Sequence, residues 1–191
     1  MLHYHRVGGS GIVAYEIGRS MAEDRGHDVH FVGIEPPFRF GDTLSDHMHF
    51  HKVEVKEYPV FDYQPYTLAL ASQLSELILL HDIDVIHSHY ALPHAVAAHL
   101  AKEISGKPVK TVATLHGTDI TVVGSHPTMR NITCYAIRVS NRVTAVSDSL
   151  KESTIKEFGI SKNKIHRIYN FVNPEYFNPD LPRVKQLGTN G

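Results

Sequence analysis

Three stretches of this sequence place hydrogen-bonding or titratable side chains beside glycine, at the ends of apolar runs. In VGGSGIVAYEIG the turn Gly9-Ser10-Gly11 runs into an apolar-periodic segment. Glycine lets the backbone come close to a ligand, a helix start adds partial positive charge, and the Ser10 hydroxyl can donate to a phosphate or carboxylate oxygen. The spacing is not that of a dinucleotide fingerprint and no P-loop lysine follows, so a tight turn packing a helix on a sheet is an equal reading. In TLHGTDIT, His116, Thr118 and Asp119 stand at the mouth of an apolar, β-branched run, with Gly117 permitting a sharp exit. A histidine near a carboxylate can form a proton-transfer or hydrogen-bonding pair. The plainer alternative has Asp119 capping the loop and His116 as a satisfied strand-end residue. In HSHYALPHA, His87, His89 and Tyr90 end another run, where Tyr90 is either a phenolic donor to an anion or a rim aromatic.

The chain has 15 histidines. His47, His49 and His51 alternate along one predicted strand and share a face, as do His87 and His89 on another. Neither group has an attendant cysteine or carboxylate pattern, so a solvent-facing stripe is the expectation and no metal site is assigned. Cys134, the one cysteine, falls on a predicted helix among apolar residues and reads as core packing, with no basic neighbour to activate it.

The elements that must position these residues follow from periodicity. Ile12, Val13, Ile17 and Met21 recur at helical spacing before VHFVG at Val29–Gly33. MHFHKVEV at Met48–Val55 alternates as a strand, an aromatic, proline-bearing loop covers Tyr58–Tyr66, and a helix from Thr67 to Leu80 leads into the strand Asp84–His89. A helix opening at Pro93, a strand Val109–His116, a polar loop Gly117–Met129, a helix near Arg130–Ser140 and a strand Arg142–Ser147 continue the alternation. A helix from Asp148, capped by Ser147 or by Asp148 itself, precedes a strand over Lys164–Phe171. Such alternation predicts an α/β fold with a Rossmann-like, doubly wound and mainly parallel sheet, and ligands beyond the C-terminal ends of its strands.

Composition narrows the classes. Lys and Arg number 19 against 20 Asp and Glu, a formal charge of −1, so no global field favours nucleic acid or an anionic membrane. No apolar run approaches a membrane span and no charged-then-apolar leader opens the chain, so neither export nor membrane insertion is indicated. Together with the lone cysteine this predicts a cytoplasmic protein. Homo-oligomerisation is left open.

The ordered set VGGSGIVAYEIG, HSHYALPHAVAAHLAK, TLHGTDITVVGSHP, RVTAVSDSL and IYNFVN resembles the N-terminal half of retaining GT-B glycosyltransferases of the family 4 type, over Tyr4 to Phe177. The resemblance runs to members that transfer N-acetylglucosamine from UDP-N-acetylglucosamine to L-malate in bacillithiol biosynthesis. It implies two Rossmann-like domains facing a cleft, the first holding the acceptor, with the UDP-sugar as substrate and no cofactor or catalytic metal. It further implies that Gly9, Ser10, Gly11, Tyr90 and Thr118 hold acceptor carboxylates, the glycine turn also lying near the donor diphosphate. His116 corresponds to a residue contacting the transferred sugar, Asp119 orients its loop, and Asn170 lies by the hinge.

Departures from the family pattern set further expectations. Only Met1–Val7 precede the glycine turn, with His5-Arg6 in place of the usual Pro-Ser, so the central first strand is expected to be largely missing and its neighbours' edges exposed. Residues 1–173 are expected to form the acceptor-side domain and 174–191 a linker or tail, with the nucleotide-sugar domain absent and this chain alone catalytically silent. Another acceptor, or a ligand-binding remnant without catalysis, are the alternatives. Cys134-Tyr135 stands where family members carry Arg-Phe.

Overall fold

The computed structural model describes residues 1–2, 8–42, 45–57, 59–174 and 177–180. Helix α1 spans Gly9–Glu23, strand β1 Val29–Gly33, strand β2 Met48–Lys52, helix α2 Tyr66–His81 and strand β3 Val85–His89. A π-helical turn at Ala91–Ala95 precedes α3 (Val96–Ser105) and β4 (Lys110–Leu115). A second such turn at Asp119–Val123 precedes α4 (Pro127–Val139), followed by β5 (Arg142–Ala145), α5 (Asp148–Phe158) and β6 (Ile165–Arg167).

All strand pairings are parallel, β1 with β2 on one side and β3-β4-β5-β6 in order on the other. Met1 and Leu2 lie in the slot between them. The Leu2 N–H donates to the His87 carbonyl at 2.8 Å, the Leu2 carbonyl accepts from the His89 N–H at 3.0 Å, and the Val32 N–H donates to the Met1 carbonyl at 3.0 Å. Leu2 therefore bridges Val32 and Ser88 and is fully buried. This corrects the expectation of exposed edges: at this level the two half-sheets are joined. The Met1 amino group donates to the His30 carbonyl at 2.6 Å, and burial pushes its pKa down to about 5. His5-Arg6, Tyr58 and most of the expected tail lie outside the described residues.

Helices cover both faces because side chains alternate across each strand. Phe31 points to α1, packed with Tyr15, Ala22, Val29 and Met48. Its neighbour Val32 joins Leu2, Leu70, Leu74, Ile78, Ile86 and Ala98 on the opposite face, under α2 and α3. A second large cluster gathers Leu115, Ile120, Ile137, Val143, Leu150 and Ile165 around β4, β5 and the helices that flank them, with Cys134 partly buried against it. Among the described residues no helix is long and apolar enough to cross a membrane.

Where element ends differ from the periodic pattern, the neighbouring strand decides. β2 stops at Lys52, short of Val55, because β1 ends at Gly33, whose carbonyl takes the last bond from the Val53 N–H at 2.8 Å. β6 stops at Arg167 because Ala145, the end of β5, takes its last bond from Ile168 at 3.0 Å. The expected loop after His116 contains the π-helical turn, and α4 begins early, at Pro127, with the His126 side chain capping it. Ser147 is the cap of α5, its hydroxyl accepting from the Leu150 N–H at 3.1 Å.

Candidate active site

The C-terminal ends of β3 and β4 and the start of α1 converge. Past His89 the chain enters Tyr90 at φ 86° and ψ 141°, a conformation that favours glycine and costs roughly 1–3 kcal/mol in another residue. Three contacts hold it there. The Tyr90 N–H donates to the Thr114 carbonyl at 2.9 Å, its hydroxyl donates to Ser10 Oγ at 2.8 Å, and its ring lies 5.0 Å from that of His116. The strain thus turns a strand-end aromatic onto the first turn of α1.

That first turn is open. Gly8, extended, supplies no side-chain cap, and the first intrahelical bond is from the Ile12 N–H to the Gly8 carbonyl at 3.2 Å. The N–H groups of Gly9, Ser10 and Gly11 precede it and carry the positive end of the helix dipole. Among the described residues nothing lies within 4 Å of where a Gly9 side chain would stand. An anion can approach this backbone, and the paired Ser10 and Tyr90 hydroxyls stand beside it.

Asp119 is buried and works as a clamp. One carboxylate oxygen accepts from the Ala91 N–H at 3.0 Å, and the other accepts from His116 N–H at 3.1 Å and Gly117 N–H at 3.0 Å. Gly117 turns between them at φ 117°. Burial raises the Asp119 pKa, and these backbone donors offset only part of the rise. The carboxylate therefore fixes the His116 turn against the chain that leaves β3, the capping arrangement that the sequence left as one alternative.

Behind His116 lies a chain of imidazoles. His89 Nδ1 is 2.9 Å from His116 Nε2, the His94 Nδ1–H donates to the His89 carbonyl at 2.6 Å, and His87 Nε2 is 2.7 Å from Thr114 Oγ1, itself 2.7 Å from Thr144 Oγ1. Burial lowers His87, His94 and His116 to about 4 and drives His89 well below its ordinary value. All four are neutral at neutral pH. His89 Nε2 is buried without a partner, and this orphan decides the tautomers. A bare acceptor is less costly to bury than a bare N–H, so we place the His89 proton on Nδ1, donated to His116 Nε2. His116 then carries its own proton on Nδ1, a neutral donor for a ligand.

Of the residues singled out in the sequence, Ser10, Tyr90, His116 and Asp119 are thus joined through contacts, with Gly9 and Gly11 in the same turn of α1. Thr118 is exposed beside the clamp. Asn170 is exposed in the segment after β6 and shares no hydrogen bond with the group. Tyr135, in the Cys134-Tyr135 pair, places its hydroxyl 2.8 Å from His99 Nε2 on the neighbouring helix. Thr114 and Thr144 were missed because their partners depend on strand register, which local sequence does not carry; His94 was missed although its partner, the His89 carbonyl, is only five residues away in the turn after β3.

The profile of Glycosyltransferase Family 4 matches residues 7–176. The chain is 45% identical over 184 residues to N-acetyl-alpha-D-glucosaminyl L-malate synthase of Bacillus anthracis, covering 96% of this chain and 48% of that protein. Among solved structures, a glycosyltransferase from Rickettsia africae superposes with a TM-score of 0.68 at 20% identity, over 93% of this chain and 44% of that one. Anabaena HepE, in complex with UDP-glucose, superposes with a TM-score of 0.66 at 17% identity, over 91% and 44%. The chain spans about half the length of each of these relatives.

Proposed function

Because this chain belongs to glycosyltransferase family 4, we propose that it forms the acceptor-side half, residues 1–173, of an enzyme that transfers N-acetylglucosamine from UDP-N-acetylglucosamine to the hydroxyl of L-malate with retention. Residues 174–191 then lead toward a nucleotide-sugar domain, and the setting is bacillithiol biosynthesis in the cytoplasm. The observation that carries the acceptor is the identity with the malate synthase across 96% of the chain. The site chemistry agrees with it: malate is a small dianion, and the open turn at Gly9–Gly11, the Ser10 and Tyr90 hydroxyls and the exposed Thr118 are uncharged donors for carboxylates.

In the reaction the malate hydroxyl oxygen bonds to the anomeric carbon on the face from which UDP departs. The bond to the β-phosphate oxygen breaks, and the hydroxyl proton passes to that departing oxygen. A same-face displacement needs acceptor positioning and leaving-group stabilisation more than a strong protein base. A neutral His116, fixed by His89 and by the Asp119 clamp, suits a donor to the sugar rather than an acid. Asn170, near the end of this half, is assigned to the hinge. UDP-sugar and malate are the partners, with no cofactor and no metal in the chemical step.

Calorimetric titration of the folded chain with L-malate tests this reading. Saturable binding that weakens with Ser10→Ala and Tyr90→Phe supports it. A folded chain that binds malate no differently from those two variants withdraws malate as the ligand of this site.

A further inference from the structure

Away from the active site, three histidines that are distant in sequence meet. His30 of β1, His51 of β2 and His81 in the last turn of α2 each bring a ring nitrogen to within 4.8 Å of the others. His30 Nδ1 lies 2.8 Å from His51 Nε2, and the His81 ring centroid is 4.4 Å from that of His30 and 5.8 Å from that of His51. The register explains the meeting. His30 pairs with His49 and Val32 with His51, so these side chains share the sheet face on which Val32 packs under α2, and α2 ends over them.

We propose that His30, His51 and His81 form a binding site for a borderline divalent metal ion, zinc in the first place, with a fourth position left to water. The donor set selects the class. Three imidazoles, with no thiolate or carboxylate among them, suit zinc, copper, nickel or cobalt and disfavour magnesium and calcium. The nearby Asp28 is occupied by His47 Nδ1 at 2.7 Å, and Cys134 lies on α4. Zinc–nitrogen bonds of about 2.0–2.1 Å put tetrahedral ligand atoms about 3.3 Å apart. The His30–His51 contact reaches that by opening about half an ångström, and His81, exposed at a helix end, swings inward.

The rings are ready as ligands. Burial and the neighbouring histidines push His30 down to about 4 and lower His51, so both rings are neutral at neutral pH, and each offers a lone pair to the ion once the proton held in their contact moves to an outer ring nitrogen. Without an ion, the His30–His51 contact shares one proton and no hydrogen bond joins His81 to either ring. A bound ion ties the end of α2 to the β1–β2 pair, so it stabilises the fold whatever the acceptor of the active site.

The test is zinc titration of the untagged chain by calorimetry at neutral pH, with cobalt(II) absorption as a second readout. The expected result is one equivalent of zinc, visible cobalt bands of a four-coordinate site, and a rise in thermal midpoint with zinc. His81→Ala and His51→Gln should each weaken binding by at least about tenfold, while His126→Ala leaves it unchanged. Because His81 is exposed, His81→Ala remains informative should His51→Gln fail to fold. Absence of saturable uptake, or uptake indifferent to His81→Ala, overturns the site.

Discussion

The Tyr90 hydroxyl donates to Ser10 Oγ at 2.8 Å, linking the end of β3 to the first turn of α1. The bond offsets part of the cost of the left-handed Tyr90 backbone. Removing it with Tyr90→Phe or Ser10→Ala is expected to lower stability by about 0.5–1.5 kcal/mol in each case. The double variant should cost clearly less than the sum, because the second change removes a partner already lost. Urea unfolding of the four proteins measures the coupling; strict additivity would mean that the two hydroxyls do not interact in solution.

Asp119→Asn keeps the shape but replaces one carboxylate oxygen by an NH2 group. Either the Ala91 N–H or the His116 and Gly117 pair then faces a donor instead of an acceptor. A loss of about 2–4 kcal/mol is expected, from the charge-assisted bond and the orphaned donor together. The His116 ring resonances should shift with it in an NMR spectrum, since the clamp fixes that turn. Wild-type stability in Asp119→Asn would show that the carboxylate charge contributes nothing there.

Two glycines of α1 should respond differently to the same change. A side chain at Gly18 would stand 2.3 Å from Cζ of the fully buried Phe31, whereas one at Gly9 meets nothing within 4 Å among the described residues. Gly18→Ala is expected to destabilise by about 2 kcal/mol, overpacking outweighing the helix preference of alanine. Gly9→Ala should stay within about 0.5 kcal/mol of the parent protein. Thermal midpoints of the two variants decide it.

What the sequence discloses divides along the same physical line as these contacts. The end of β3 at His89 is legible as it stands and that of β4 reads one residue late, at His116 rather than Leu115, while Ser147 is one of two caps legible for α5, its partner Leu150 being local. Ser10, Tyr90, His116 and Asp119 are legible as strand-end or helix-start residues, while Asp119's grip on Ala91 depends on how the turns after β3 and β4 pack. Leu2 could not be read as a strand, since one residue pair has no periodicity, yet it joins the two half-sheets. His49 and His51 look like a stripe along β2; only the pairing of β1 with β2 and the end of α2 bring His30 and His81 to His51.

Stability should fall steeply with acid. His87, His94 and His116 titrate near 4 in the folded chain and near 6.5 in an unfolded one. Between those values the unfolded chain binds more protons, so the folded state gains stability as pH rises and loses it as pH falls from 6.5 toward 4. Three such groups give a slope approaching about 4 kcal/mol per pH unit. Asp119 acts the other way, because its raised pKa lets the folded state take up a proton first, and so it softens the slope near its own range. Urea midpoints at pH 7.5, 6 and 5 measure the total. His94→Asn keeps a donor for the His89 carbonyl but cannot titrate, so its slope should be shallower by about 1.4 kcal/mol per pH unit whatever its starting stability. An unchanged slope in that variant would mean that His94 is not held neutral by burial.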